Sequence, residues 1–255
     1  MRVLVLGGDG YLGWPTAMNF SACGHEVCVA DNYMRRTIAE ATDSIPLFEC
    51  PILSDRTKIF EKITGFKIIS KICDLSKPQV MFDLVRDFMP DTIIHYAEQP
   101  SAPYSMKSFN EAHETFHNNL GVTFNCIWAV KELAPNCHII KLGTMGEYGT
   151  PNIDIEEGWL DIEHKGRKDK FLFPRAAGSL YHTTKVLDTD LIWFYVRTYG
   201  LKVTDLMQGP VYGLSTDESD LDPRLMPNFN YDDIFGTLVN RFLVQAVAGV
   251  PLTVY

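Results

Sequence analysis

The chain has 255 residues, of which 46% are hydrophobic and 22% charged, an ordinary balance for a globular protein with a sizeable core. Its formal net charge of -9 argues against a protein that tracks nucleic-acid phosphates. No stretch approaches the roughly 18–20 uninterrupted apolar residues of a membrane span, and the amino end has neither a signal nor a transit pattern, so a cytoplasmic protein is expected.

The first apolar run, 2–7, predicts a strand. It leads into Gly7-Gly8-Asp9-Gly10-Tyr11-Leu12-Gly13, which fits G-x-x-G-x-x-G and opens a predicted helix at 11–22. Glycines in that context permit a tight turn, close approach of backbone to a pyrophosphate and close packing of helix on strand. The helix start then offers free N–H groups to the phosphates. A second strand, 26–31, ends on Asp31, a carboxylate placed to accept hydrogen bonds from an adenosine ribose. That charge repels a 2′-phosphate and favours NAD over NADP, whereas Arg35 and Arg36 just downstream are able to accommodate one.

Residues 46–62 insert extra material before a third strand at 67–74. Asp74, in Cys73-Asp74-Leu75, reads equally as a contact for the adenine amino group or as a cap for the helix at 79–88. A fourth strand, 92–97, contains His95, which reads as a structural histidine. The long helix at 108–133 carries Asn118-Asn119, polar either toward the cofactor or simply as helix surface. A fifth strand, 138–143, ends at Thr144, whose hydroxyl is placed to hold a substrate oxygen.

Residues 151–175 and 214–232 are rich in Pro, Asp, Asn and Gly and read as excursions over the carboxyl edge of the sheet, where ligands of open α/β sheets bind. Between them lies a helix at 179–199 with Tyr181-His182-Thr183-Thr184-Lys185. Tyr181 and Lys185 stand at i and i+4, on one helical face. A neighbouring ammonium favours a phenolate, which makes Tyr181 a candidate base for a hydroxyl proton. A sixth strand, 202–208, ends on Gln208, with Val211 shortly after. A helix at 234–250 and an incipient strand at 251–255 close the chain, which reads as a truncated unit. The six cysteines show neither a Cys-x-x-Cys pair nor zinc spacing and read as buried reduced thiols; no metal site is expected.

Alternating strands and helices with Val/Ile/Leu-rich strands imply an α/β fold, a doubly wound parallel sheet of Rossmann type. The expected division is an NAD-binding core at 1–150, a substrate-side excursion at 151–175, the core continued at 176–213, and the start of a smaller, incomplete substrate-binding domain at 214–255.

The glycine turn, Asp31, Thr144 and Tyr181/Lys185 resemble the extended short-chain dehydrogenase/reductases that act on nucleotide-sugars. More narrowly, Glu98-Gln99, Ser101-Ala102-Pro103-Tyr104-Ser105-Met106, the stretch 141–158 with Lys141-Leu142-Gly143-Thr144-Met145-Gly146-Glu147-Tyr148, and Tyr231-Asp232-Asp233 through Pro251-Leu252-Thr253-Val254-Tyr255 resemble the UDP-sulfoquinovose synthase family. That resemblance implies NAD as cofactor and UDP-glucose and sulfite as substrates. It further implies oxidation at C4, elimination of water across C5 and C6, sulfite addition at C6 and return of the hydride. It implies that Tyr181 is the C4 base, that Lys185 tunes it and binds the nicotinamide ribose, and that Thr144 holds the C4 oxygen. Glu147 is then the candidate for C5/C6 proton transfer or a water relay, and His182 for a part at C6 or with sulfite. Gly7, Gly10, Tyr11, Leu12, Gly13, Asp31, Asn32, Arg35, Arg36, Asp74, Leu75, Gln99, Asn119, Tyr181, Lys185, Gln208 and Val211 form the implied cofactor set. Thr144, Glu147, Tyr181 and Gln208 form the implied substrate set. A homodimer formed through the two long helices is also implied.

Two features depart from the pattern. Pro100 stands where plant-like members are expected to have arginine, and Met145-Gly146 stand where sugar 4,6-dehydratases carry Asp and Glu after the Thr. Two other readings stay open: another NAD-dependent nucleotide-sugar epimerase or 4,6-dehydratase, and a non-catalytic NAD-binding protein.

Overall fold

The computed structural model describes residues 1–156 and 158–254. Six strands form one parallel sheet: β1 (Arg2–Leu6), β2 (Glu26–Asp31), β3 (Ile68–Ile72), β4 (Thr92–His95), β5 (His138–Leu142) and, after a separate hairpin of β6 (Trp159–His164) and β7 (Arg167–Leu172), β8 (Lys202–Leu206). Their spatial order is β3-β2-β1-β4-β5-β8, so the direction of winding reverses between β1 and β4. Register is regular across the centre, with Leu4 beside both Cys28 of β2 and Ile93 of β4.

The near-continuous apolar strands follow from burial of both faces. Leu4, Leu6, Cys28, Ala30, Ile93 and Ile139 face α4 (Pro78–Phe88), α6 (Phe109–Leu133) and α7 (Leu180–Tyr199). Val3, Val5, Val27, Val29 and Ile94 point the opposite way, against α1 (Gly13–Ala22) and α3 (Leu53–Thr64). Val3, Leu4, Val5 and Leu6 are fully buried, and each such side chain stabilises the fold by about 1.5–3 kcal/mol. Serine caps start the two long helices: Ser108 accepts from the Asn110 amide, and Ser179 from the His182 amide.

The structure adds to the sequence expectation in several places. The insertion at 46–62 leads into α3, and α2 (Met34–Ala41) and the four-residue α5 (Ala102–Ser105) were not foreseen. α1 starts at Gly13 rather than at residue 11, because Gly10, Tyr11 and Leu12 complete the turn before it. The excursion at 151–175 contains the antiparallel β6–β7 hairpin, with Trp159 packed edge-on against Trp193 of α7.

The helix expected at 234–250 is α8 (Leu238–Ala248), since the amides of Ile234 and Phe235 are captured by the Asp232 carboxylate in a preceding turn. Residues 251–254 form no strand; Thr253 instead exchanges two hydrogen bonds with the Gln245 side chain of α8. Tyr255, the last residue of that expected strand, and Glu157 in the stretch 141–158 lie outside the described residues. No helix among the described residues is long and apolar enough to cross a membrane.

Candidate functional site

A cavity of about 650 Å³ runs along the carboxyl edge of the sheet, across the point where winding reverses between β1 and β4. In open α/β sheets this crevice is where ligands lodge. Gly7, Gly10, Tyr11, Leu12 and Gly13 line one end of it. Gly7 adopts φ +84°, and a β-carbon there would stand 2.7 Å from the Tyr96 carbonyl carbon. A β-carbon on Gly13 would stand 2.0 Å from the Gly7 carbonyl oxygen. The turn is thus a cradle that admits no side chain at either position. The start of α1, which has no side-chain cap, opens onto it. That combination of bare backbone and helix N-terminus fits a pyrophosphate.

Asp31, Asn32, Arg35 and Leu75 line the same end. The Asp31 carboxylate accepts from the amides of Asp9 (2.9 Å) and Tyr33 (2.7 Å). Burial, and then the adjacent Asp9 carboxylate, push Asp31 up to about 6. Arg35 stacks on Phe235 (4.6 Å to the ring centre) and donates to Asn230 (2.8 Å); burial lowers it to about 10, so it stays charged at neutral pH.

Four residues of the expected cofactor set, Arg36, Asp74, Asn119 and Lys185, do not line the cavity. Arg36 does not line the cavity: it grips Asp9 with two nitrogens (2.6 and 2.9 Å) and donates to the carbonyls of Cys50 and Pro51. Asp74 is also outside the lining, which includes only its neighbours Cys73 and Leu75. Its carboxylate closes a local turn by accepting from the Ser76 amide and hydroxyl, while Lys77 holds the position before α4 and makes no side-chain cap.

Gln99, Gln208 and Val211 line the middle of the cavity. Asn119 does not, because its amide is spent on fixing the loop after β4: it accepts from the Gln99 amide (2.8 Å) and donates to Thr184 (3.1 Å). Its neighbour Asn118 faces the cavity instead.

Thr144, Tyr181 and His182 come together at the far end. Thr144 follows β5 and accepts from the Gly146 amide, starting a short 3-10 turn over Met145–Tyr148. The His182 ring packs its Cδ2–Nε2 edge against Gly146, where a β-carbon would stand 2.5 Å from Nε2; its Nδ1 is 2.9 Å from the Ser179 hydroxyl.

Lys185 departs from the expected arrangement. Its ammonium lies 2.8 Å from Glu98, donates to the Leu142 carbonyl (2.6 Å), and stands 5.7 Å from the Tyr181 ring centre. Glu98 is in turn 3.2 Å from Lys141, and Lys141 is 3.3 Å from Asp188. The four form a buried chain of alternating acids and lysines, Asp188–Lys141–Glu98–Lys185, spread over α7, β5 and the loop after β4, in which burial pushes Asp188 up to about 8. His95 lies behind it against Thr123; burial lowers its pKa to about 3, so it is neutral, in keeping with a structural part. Tyr181 is therefore not shifted toward a phenolate as expected. Burial raises its pKa, and the Glu98 charge adds to the effect, so it is a protonated phenol at neutral pH.

Glu147 also departs from expectation. It is fully buried and absent from the cavity wall. Its carboxylate meets Arg175 (3.3 Å) and the Thr189 hydroxyl (3.1 and 3.2 Å), and that hydroxyl also reaches Asp205 (2.6 Å). Burial, then Asp205, push Glu147 up to about 7, against the opposing pull of Arg175. Sequence reading passed over Asp9, Arg56, Lys141, Asp188 and Arg175 as site residues. A charged residue inside an apolar strand, Lys141 in His138–Leu142, was the available signal for the buried chain. Among the described residues, no group of three His, Cys, Asp or Glu is placed to hold a metal. The cysteines form no disulfide; Cys28, Cys126 and Cys137 are buried as expected, whereas Cys50 and Cys73 are half-buried and Cys23 is exposed.

Comparison with known proteins gives this site a context. The chain is 44% identical over 254 residues to the chloroplastic UDP-sulfoquinovose synthase of Spinacia oleracea, covering 100% of this chain and 53% of the relative. It is 46% identical over 256 residues to the UDP-sulfoquinovose synthase of Sulfolobus acidocaldarius, covering 100% of this chain and 65% of the relative. The chain thus spans between half and two thirds of the length of these relatives. Among solved structures, the fold is shared with the UDP-glucose 4-epimerase of Thermus thermophilus in complex with NAD, at a TM-score of 0.65 and 24% identity, covering 100% of this chain and 65% of that one. The sequence model of the NAD dependent epimerase/dehydratase family matches residues 3–232, and the chain belongs to that family.

Proposed function

We propose that the chain is the dinucleotide-binding and catalytic part of an enzyme that converts UDP-glucose and sulfite to UDP-sulfoquinovose. The observation that carries this reading is the convergence of Thr144, Tyr181 and His182 at one end of a single cavity whose other end is the bare glycine cradle beside Asp31. The similarity to two UDP-sulfoquinovose synthases over the full chain supports the choice of substrates.

The glycine turn and the start of α1 would hold the pyrophosphate of NAD, and Asp31 the adenosine ribose. Bound there, NAD would supply a reversible hydride acceptor for C4 of the sugar. Thr144 orients the C4 oxygen by a hydrogen bond. Tyr181 exchanges the proton of that oxygen: as a phenol it is set to donate when the hydride returns, and Lys185 favours its phenolate once the ammonium leaves Glu98. A ketone at C4 acidifies the C5 proton, so water can be lost across C5 and C6, and sulfite adds to the carbon–carbon double bond at C6. His182, with Nε2 toward Gly146 and the cavity, is the group we assign to proton transfer at C6 or to holding sulfite. Glu147 acts from behind the wall, keeping Arg175 and the Thr144 turn in place.

The division into an NAD-binding core, 1–150 and 176–213, with 151–175 and 214–255 on the substrate side, belongs to the same reading. So do the cytoplasmic setting and a homodimer through the outer faces of α6 and α7, where Phe109, Phe116, Phe124, Leu187 and Phe194 are exposed. The test is incubation with UDP-glucose and sulfite, and a control without sulfite. A sulfonated UDP-sugar formed only with sulfite is expected; UDP-galactose, or a stable 4-keto-6-deoxy sugar without sulfite, would overturn the reading.

A further inference from the structure

Asp9 belongs to the glycine-rich turn, yet its carboxylate does not face the cavity that the turn encloses. It is buried among three other segments. Arg56 of α3 approaches to 2.5 Å, Arg36 of α2 to 2.6 and 2.9 Å, and the Asn228 amide to 3.1 Å. The Arg56 guanidinium is fully buried and stacks on the Trp14 ring at 4.7 Å. Hydrogen bonds to a charged acceptor are the strong ones, so this carboxylate commits both guanidiniums.

The same residue touches the ribose end of the cavity through its backbone, because the Asp9 amide donates to Asp31 at 2.9 Å. Asp9 therefore separates Asp31 from Arg36 by a single residue. A dinucleotide bearing a 2′-phosphate adds charge beside Asp31 and needs an arginine to accommodate it. Arg35, which does face the cavity, is held by Asn230 and Phe235. Arg36 is the cation that Asp9 withdraws.

We infer that Asp9 is a specificity-determining residue: by holding Arg36 against Arg56, it keeps a second arginine from joining Arg35 beside a 2′-phosphate and so favours NAD over NADP. The inference rests on the reading that this cavity binds a dinucleotide. It also gives the insertion before β3 a purpose, since α3 delivers Arg56, the second cation on the buried Asp9 carboxylate.

The test is isothermal titration of the chain with NAD and, separately, with NADP, for wild type, Asp9→Asn, Arg36→Ala and the double variant, each checked for folding by circular dichroism. Asp9→Asn is expected to lower the ratio of the NADP to the NAD dissociation constant by roughly tenfold, the worth of one charge-assisted hydrogen bond. The double variant is expected to restore the ratio, because the released arginine is then gone. Equal weakening of both ligands in Asp9→Asn, with the ratio unchanged, would make Asp9 a purely structural residue and overturn the inference. Arg36→Ala keeps Asp9 and decides the matter even where Asp9→Asn does not fold. It is expected to leave the ratio in place, and a tenfold rise would show that Arg36 already serves the phosphate and would overturn the inference. Wild-type protein that binds neither dinucleotide would overturn the functional reading as well, an outcome distinct from a bound NAD whose selectivity ignores Asp9.

Discussion

The ammonium of Lys185 is held by the carboxylate of Glu98 at 2.8 Å, and that carboxylate adds to burial in raising the pKa of Tyr181, one helical turn from Lys185. Glu98→Gln removes the charge that ties down Lys185 and that raises the tyrosine pKa. The Tyr181 titration, followed by NMR of ring-labelled tyrosine and assigned with Tyr181→Phe, is expected to move to lower pH. The variant is expected to lose about 3–5 kcal/mol of stability, since it leaves a buried cation without its partner. A Tyr181 titration that stays in place would detach Glu98 from the reaction.

Tyr181→Phe removes the hydroxyl without disturbing the cradle at the opposite end of the cavity. Turnover is expected to fall by roughly 10²–10⁴ while NAD affinity, measured by titration calorimetry, stays unchanged. Undiminished turnover would take Tyr181 out of the mechanism.

Glu147 carries a pH dependence of its own. Its folded pKa, pushed up to about 7, lies above the ordinary value of 4.5, so the folded state binds its proton more tightly than the unfolded one. Its contribution to stability is therefore full below about pH 4.5 and is lost as pH rises through 7. Glu147→Gln mimics the protonated form. Its melting temperature relative to wild type is expected to be higher at pH 8 than at pH 5, by differential scanning calorimetry. An offset independent of pH would contradict this.

Two glycines make a controlled comparison. Gly13→Ala puts a β-carbon 2.0 Å from the Gly7 carbonyl, a main-chain atom that has no room to move. Loss of NAD binding by more than about tenfold, with roughly 1–3 kcal/mol of destabilisation, is expected. Gly121→Ala, in the middle of α6 with nothing within 4 Å of the new carbon, is expected to stabilise by about 1 kcal/mol through helix propensity and leave binding alone. Similar melting shifts for the two would contradict the packing described for the cradle.

The sheet was legible in the sequence because burial on both faces writes itself as short apolar runs, and because a glycine turn between a strand and a helix has few other uses. The β6–β7 hairpin was not recognised, because its second strand carries four consecutive charged residues and buries little. Lys165-Gly166, both at positive φ, form the two-residue turn of a tight hairpin, and the glycine there was the one cue, since RKDKFL after it shows no apolar alternation. The placement of Glu147, Asn119 and Lys185 could not be read, because spacing along a helix or turn tells which residues share a face and not which partner claims them. Each was taken by a buried group from a distant segment: Arg175, Gln99 and Glu98, respectively. Asp9 was hidden for the same reason, since its partners Arg56 and Asn228 lie 47 and 219 positions away.

Those long separations also bear on how the molecule is made. Trp14 donates to the Leu225 carbonyl, Tyr11 to that of Gly213, and Asn228 to Asp9, so the glycine turn is completed by residues about 200 positions downstream. During synthesis, β1 and α1 emerge with half of the glycine turn unsupported, and they wait for about 200 further residues, some tens of seconds of elongation at roughly 5–20 residues per second. Contacts of such separation close late and slowly. Stable uptake of a dinucleotide by the growing chain is therefore expected only after the ribosome has delivered the segment around Asn228, whose amide closes on the Asp9 turn.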